Sequence, residues 1–188
     1  SDKVKKTKDI KPKKKDDDDF YNMLEKGTLG SRRQITSFKK KYGTELLNNI
    51  LDSQNFMDFF PTPQNCLNKK PIKQVIYDYN NILEPTAGLG SIIHFIKKNS
   101  NNKKNITGIE FNKGLATFLK NKYKQDNIIE GDFFEVSKKY LKSNNFELII
   151  LNPPFSLGTK KQYYYNFLFR CLLILQRSNA GNYFKHII

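Results

Sequence analysis

The chain has 188 residues and 22.0 kDa, room for one domain with a real core but not for a catalytic domain joined to a second of full size. Its 33 Lys and Arg against 18 Asp and Glu give a formal charge of +15 and a pI near 9.7, which favours a polyanionic partner such as nucleic acid, or an anionic membrane surface. Cys66 and Cys171 are far apart with no second pair beside either, so neither a disulfide framework nor a cysteine zinc site is expected, and a reducing compartment is the default.

Residues 1–19 are a Lys block followed by Asp16 to Asp19, nearly free of apolar side chains. Such a segment buries too little surface to offset its ordering entropy and reads as a disordered charged tail. With 8 Lys and 6 Asp it nets only +2, so the basic excess belongs to the rest of the chain. Residues 20–59 read as an N-terminal helical extension. Ile35 and Phe38, then Leu46, Leu47, Ile50 and Leu51, fall at helical intervals, the second group behind an N-cap at Thr44. Residues 60–188 then alternate short β-type runs with helical stretches. The runs are Ile82-Leu83, Ile106 to Ile109, Ile128-Ile129, Leu148 to Leu151 and Phe184 to Ile188; the helices begin near Ser91, Lys113, Glu135 and Gln162. Strict alternation predicts right-handed βαβ crossovers, hence a Rossmann-like α/β fold with a doubly wound, mostly parallel sheet. The longest apolar stretch, about Tyr163 to Leu175, is broken by Asn166 and Arg170 and is too short to span a bilayer, and no signal-peptide pattern opens the chain. A soluble, intracellular protein without a membrane partner is expected.

In such sheets ligands sit at the carboxyl ends of the strands. After the first comes Glu84-Pro85-Thr86-Ala87-Gly88-Leu89-Gly90-Ser91, where Gly88 and Gly90 let the backbone turn tightly ahead of a helix start. Ile93 stands where a dinucleotide fingerprint wants a third glycine, and no Gly-Lys-Ser/Thr ends the loop, so neither NAD nor ATP is the expected cofactor. After the second strand, Glu110 lies 20 residues beyond Gly90, the range for an acidic side chain that accepts from both ribose hydroxyls of a nucleoside. Phe111 beside it is placed to cover one face of an adenine ring. After the third strand, Asp132 and Phe133 offer an acceptor for adenine's amino group and an aromatic for its other face. After the fourth come Asn152, Pro153, Pro154 and Phe155.

With that tetrapeptide the chain resembles the class I S-adenosylmethionine-dependent methyltransferases, in the amino-methylating branch that includes adenine-N6 DNA methyltransferases. The resemblance runs from about Phe59 onward. It rests on the loop with Glu84, Pro85, Ala87, Gly88 and Gly90, on Glu110, on Gly131-Asp132-Phe133, and most specifically on Asn152 to Phe155. Phe60-Pro61-Thr62-Pro63 resembles the family's Thr-Pro segment, and the resemblance implies that Thr62 and Pro63 lie against the methionine part of the cofactor. It implies S-adenosyl-L-methionine as cofactor, no metal, and DNA favoured over RNA as the nucleic-acid partner. It also implies a seven-stranded sheet, whereas this sequence stops near the fifth strand, so a missing C-terminal segment or a partner chain is expected to complete the fold.

That chemistry suits these residue types. Adenine's amino nitrogen is a poor nucleophile, and the Asn152 side-chain oxygen and Pro153 carbonyl can accept its two N–H groups and free the lone pair. The two prolines fix the backbone so that this carbonyl faces the substrate, and Phe155 would stack on a flipped-out base. RNA-base or protein-glutamine methylation, and a catalytically inactive scaffold of the same fold, are the alternatives. Tyr163 to Tyr165 with Lys160 and Lys161 are candidates for nucleic-acid contact, against helical core packing for Tyr164, Phe167 and Phe169. His94 and His186 lack a second ligand at usable spacing and are assigned to structure.

Overall fold

The computed structural model describes residues 32–48, 62–100, 104–141, 146–153, 161–176 and 186–187. The charged tail, the flanks of the helical extension, Phe60-Pro61, Pro154 and Phe155 lie outside the described residues. In chain order the elements are α1 (Arg32–Tyr42), α2 (Gln64–Leu67), α3 (Lys70–Asp78), β1 (Asn81–Glu84), α4 (Ser91–Asn99), β2 (Asn105–Glu110), α5 (Lys113–Lys122), β3 (Asn127–Glu130), α6 (Phe133–Val136) with a 3₁₀ turn (Ser137–Leu141), β4 (Leu148–Ile149), α7 (Lys161–Gln176) and β5 (His186–Ile187).

The sheet has the order β3-β2-β1-β4-β5, and all four pairings are parallel. Chain progress runs outward from β1 through β2 to β3, then returns across β1 to β4. The connections therefore switch direction between β1 and β4, and α/β sheets open a crevice at that point. This is the doubly wound Rossmann-like fold read from the alternation of runs.

Successive side chains of a strand point to opposite faces, and the core divides accordingly. Ile82, Ile106, Ile128, Leu148 and Ile150 face α3, α4 and α5, packing with Ile76, Ile92, Ile93, Ile96 and Leu119. Leu83, Ile109 and Ile149 face the other way, against Phe133, Phe167, Cys171 and Ile174 of α6 and α7. Ile82 and Leu83 are fully buried, on opposite faces, as a central parallel strand requires. At the amino edge of the sheet Glu147 Oε2 accepts from the N–H groups of Asn80 and Asn81 at 2.8 and 2.9 Å, setting β4 level with β1. Lys104 Nζ donates to the Tyr77 and Tyr79 carbonyls, both at 2.6 Å, closing the carboxyl end of α3 where a cation meets the helix dipole.

Three local readings are corrected. Gly43, at φ +91, ends α1 by donating its N–H to the Lys39 carbonyl at 3.0 Å, and its own carbonyl receives Leu47 N–H. The next helical residues, 44–48, thus start behind Gly43 rather than behind an N-cap at Thr44. The helix assigned to begin near Glu135 begins at Phe133, because Asp132 caps it. On α7, Phe167 is buried as core, but Tyr164 and Phe169 are 38% and 62% exposed, so they belong to the outer face and not to the helical core.

Gly108 in β2 is where the sheet and α4 press closest: a Cβ there would stand 3.0 Å from Ile128 Cδ1 and 3.2 Å from Ile93 Cδ1. Gly108→Val should lower stability by about 1–3 kcal/mol through overpacking, with Gly108→Ala at the low end. Adding Ile128→Val should recover part of the loss, since it removes the nearest atom; urea unfolding of the single and double variants measures both.

Candidate cofactor and acceptor site

At the crevice the loop after β1 is held from several sides. Ala87 N–H donates to the Ile109 carbonyl at 2.9 Å, and Gly90 N–H turns back to the Ala87 carbonyl at 2.7 Å. Gly88 and Gly90 sit at φ +54 and +80, left-handed conformations that a Cβ penalises. Gly90 is the residue ahead of α4, so the first N–H groups of that helix open toward the crevice. Pro85 is buried and Ala87 is 3% exposed, which makes them supports of the loop.

Two carboxyl groups lie under it. Glu84 is 1% exposed; it accepts from Ile93 N–H of α4, while its Oε2 has no hydrogen-bond partner. Burial, and then the charge of Glu110, push its carboxyl well above the usual carboxylate range. Glu110 spends both oxygens on backbone donors, Oε2 taking Gly88 N–H and Oε1 taking Asn112 N–H, each at 2.7 Å. Burial raises it to about 7 against the lowering effect of those N–H donors. Phe111 next to it is 77% exposed, an unburied ring at the mouth of the crevice.

At the third strand end Phe133, but not Asp132, departs from the reading made of it. Gly131, at φ +149, donates its N–H to the Glu110 carbonyl at 2.9 Å, so this corner joins the second. Asp132 Oδ1 accepts from Phe134 and Glu135 N–H at 2.8 and 3.1 Å, the work of an N-cap. Phe133 is 5% exposed and stacks on Phe167 with centroids 4.2 Å apart; it is a core residue and is not placed to cover a ligand ring.

Asn152 is half-buried and Pro153 buried at the end of β4. The Asn152 main-chain carbonyl accepts from Thr86 Oγ1 at 3.3 Å, so the acceptor strand end touches the glycine loop directly. Thr62 is half-buried and Pro63 exposed ahead of α2. The next residue, Gln64, donates from Nε2 to the Ser91 carbonyl at 2.9 Å, bringing the Thr-Pro segment to the first turn of α4. The structure thus gathers Thr62, Pro63, the 84–90 loop, Glu110, Phe111, Asn152 and Pro153 around one crevice, and leaves Phe133 in the core. His94 is buried at 8% exposure on α4.

Sequence reasoning missed Thr86 and Asn112. Asn112 Oδ1 accepts from Gly114 and Leu115 N–H at 2.9 and 3.1 Å and so starts α5 immediately behind Glu110. An Asn immediately ahead of a helical run, in the N-cap position, is the signal that would have found it. Among the described residues, no group of three His, Cys, Asp or Glu could hold a metal ion, and no helix is long and apolar enough to cross a membrane.

The donor set fits a nucleoside cofactor with a cationic end: an acidic strand end for ribose hydroxyls, an exposed ring for the base, and a buried unpartnered carboxyl oxygen. The strand order above is that of a doubly wound, Rossmann-like fold. No family model matches the chain. Over 103 residues it is 31% identical to ribosomal RNA small subunit methyltransferase A of Malacoplasma penetrans, a match covering 52% of this chain and 37% of that protein. The chain therefore spans little more than a third of that relative's length. A solved structure, the O-methyltransferase of Bacillus cereus in complex with SAH, aligns at 14% identity and a TM-score of 0.47, covering 74% of this chain and 66% of the other.

Glu84 and Glu110 hold protons more tightly in the folded chain than unfolded carboxyls do. Folding takes up protons between the ordinary carboxylate range and about pH 7 for Glu110, so stability falls as pH rises through that window. Urea unfolding of the ligand-free protein should give greater stability near pH 5 than near pH 8, and the double variant Glu84→Gln/Glu110→Gln should flatten the profile. A flat profile for the unaltered chain would mean that neither carboxyl is desolvated as described.

Proposed function

We propose that this chain is an S-adenosylmethionine-dependent methyltransferase that acts on the exocyclic amino group of adenine in RNA. The observation that carries the reading is the meeting, at the β1/β4 switch point, of the glycine loop with the Asn152-Pro153 strand end. The relative that methylates ribosomal RNA by its name supports RNA, and the formal charge of +15 suits either nucleic acid. DNA is the second reading, favoured by the Thr62-Pro63 segment standing ahead of the glycine loop.

When bound, S-adenosylmethionine supplies a sulfonium methyl whose leaving group is already activated. The remaining work of the chain is positional. Glu110, when ionised, accepts from the ribose hydroxyls while its backbone donors keep the carboxylate in place. Phe111 covers the nucleoside base. Asn152 accepts from the substrate amine through its side-chain oxygen, and the Pro153 carbonyl accepts the second N–H, so the nitrogen lone pair is turned toward the methyl. The alkylated nitrogen is acidic and gives its proton to water, so the step needs no side-chain base.

Labelled methyl transfer to RNA and to DNA, with the modified base identified by mass spectrometry, tests the reading. RNA should carry N6-methyladenine, whereas label on neither nucleic acid would overturn it. Asn152→Ala should lower transfer by about 10²–10³-fold, the scale of losing one preorganised polar group, and leave cofactor affinity nearly intact by calorimetry.

If only ionised Glu110 receives the ribose, a group titrating at about 7 makes cofactor affinity rise about tenfold from pH 6 to pH 8. Glu110→Ala should weaken binding by about 1.5–3 kcal/mol at pH 8 and abolish that rise.

A further inference from the structure

β1 and β4 pair at a constant offset, Ile82 beside Leu148 and Leu83 beside Ile149. Ile150 N–H extends the ladder by donating to the Leu83 carbonyl at 3.0 Å. In a parallel ladder the next donors would be the N–H of residue 85, for the Ile150 carbonyl, and that of residue 87, for the Asn152 carbonyl. Neither is available: residue 85 is a proline without N–H, and Ala87 N–H is committed to Ile109 of β2. The Asn152 carbonyl is served instead by the Thr86 hydroxyl at 3.3 Å, from the residue that the same offset sets opposite it.

We infer that Thr86 is a positioning residue whose hydroxyl substitutes for the missing ladder donor and couples the cofactor loop to the acceptor loop. The inference rests on the function proposed above. A carbonyl held at Asn152 fixes the plane of the 152–153 peptide. That plane sets both the direction of the Asn152 side chain and the place of the Pro153 carbonyl. Thr86 belongs to the glycine loop, so a ligand that seats the loop also seats the acceptor pair. The hydroxyl is the required feature: Ser retains it, while Val keeps the volume and β-branching of Thr without a donor.

The test is a cycle of Thr86→Val and Asn152→Ala, with Thr86→Ser as rescue, in the full chain. Thr86→Val should lower kcat about tenfold and leave KM for S-adenosylmethionine within about twofold, while Thr86→Ser stays within about threefold of wild type. In the Asn152→Ala background Thr86→Val should add less than about twofold, because its effect passes through Asn152. Wild-type kcat in Thr86→Val, or the same loss in both backgrounds, overturns the inference. If the unaltered chain methylates no nucleic acid, that failure falls on the proposed function, and hydrogen exchange of the ligand-free protein decides the tie by itself. The Leu151 and Asn152 amides should exchange at least about fivefold faster in Thr86→Val and near the wild-type rate in Thr86→Ser; unchanged exchange in the Val variant overturns it.

Discussion

A carboxylate oxygen and a main-chain N–H that are both withdrawn from water must find each other, and at Glu110 this requirement organises three strand ends at once. Its two oxygens take Gly88 N–H from the loop after β1 and Asn112 N–H from the loop after β2. Its main-chain carbonyl takes Gly131 N–H from the loop after β3. Bonds to an ionised acceptor are worth roughly 1.5–3 kcal/mol each, so this carboxylate is the group at the crevice that ties the most loops together. A neutral side chain there would keep at most part of this arrangement, since an amide offers one oxygen where two acceptors are needed.

The same geometry explains why the site can be soft around neutral pH. Glu84 lies beneath the loop with one oxygen on Ile93 N–H and the other unpaired, and two ionised carboxyls so placed repel each other. Burial first, and for Glu84 also the charge of Glu110, makes both carboxyls keep protons longer than exposed ones do. A cationic ligand arriving in the crevice would supply the charge that both lack, so ligand binding and proton release are linked here.

The sheet was legible because its strands are short apolar runs between turn residues, and parallel strands buried on both faces read that way. Ile82-Leu83 and Ile128-Ile129 mark the centres of β1 and β3 to within two residues. α2 and α3 were passed over: the first is a single turn, and the second carries Lys70, Pro71, Lys73 and Gln74 around Ile72, Val75 and Ile76, so its apolar stripe is narrow. Phe133 was misread for a different reason. Asp followed by Glu three positions later is a helix-start pattern, and once Asp132 is the cap, Phe133 becomes the first helical residue and turns inward to Phe167. An aromatic suited to binding was visible at Phe133; the cap that turns it into the core was not. Thr86 shows the converse, because a hydroxyl in a glycine loop has no evident purpose until strand register places a carbonyl opposite it.

Charge is distributed unevenly about this crevice. Helices return antiparallel to the strands, so the last-turn lysines of α4, Lys97 and Lys98, stand toward the amino edge of the sheet, Lys97 against Asp126 ahead of β3, whereas Lys120 of α5 reaches Glu130 at the end of β3. Among the described residues the ligand end gathers Glu84, Glu110, Glu130, Asp132 and Glu135, and the cations there are partly committed, Lys120 to Glu130, Lys138 to Glu135 and Arg170 to the Phe134 carbonyl. An acidic crevice on a chain of net charge +15 attracts a cationic ligand at close range and a polyanion only at long range.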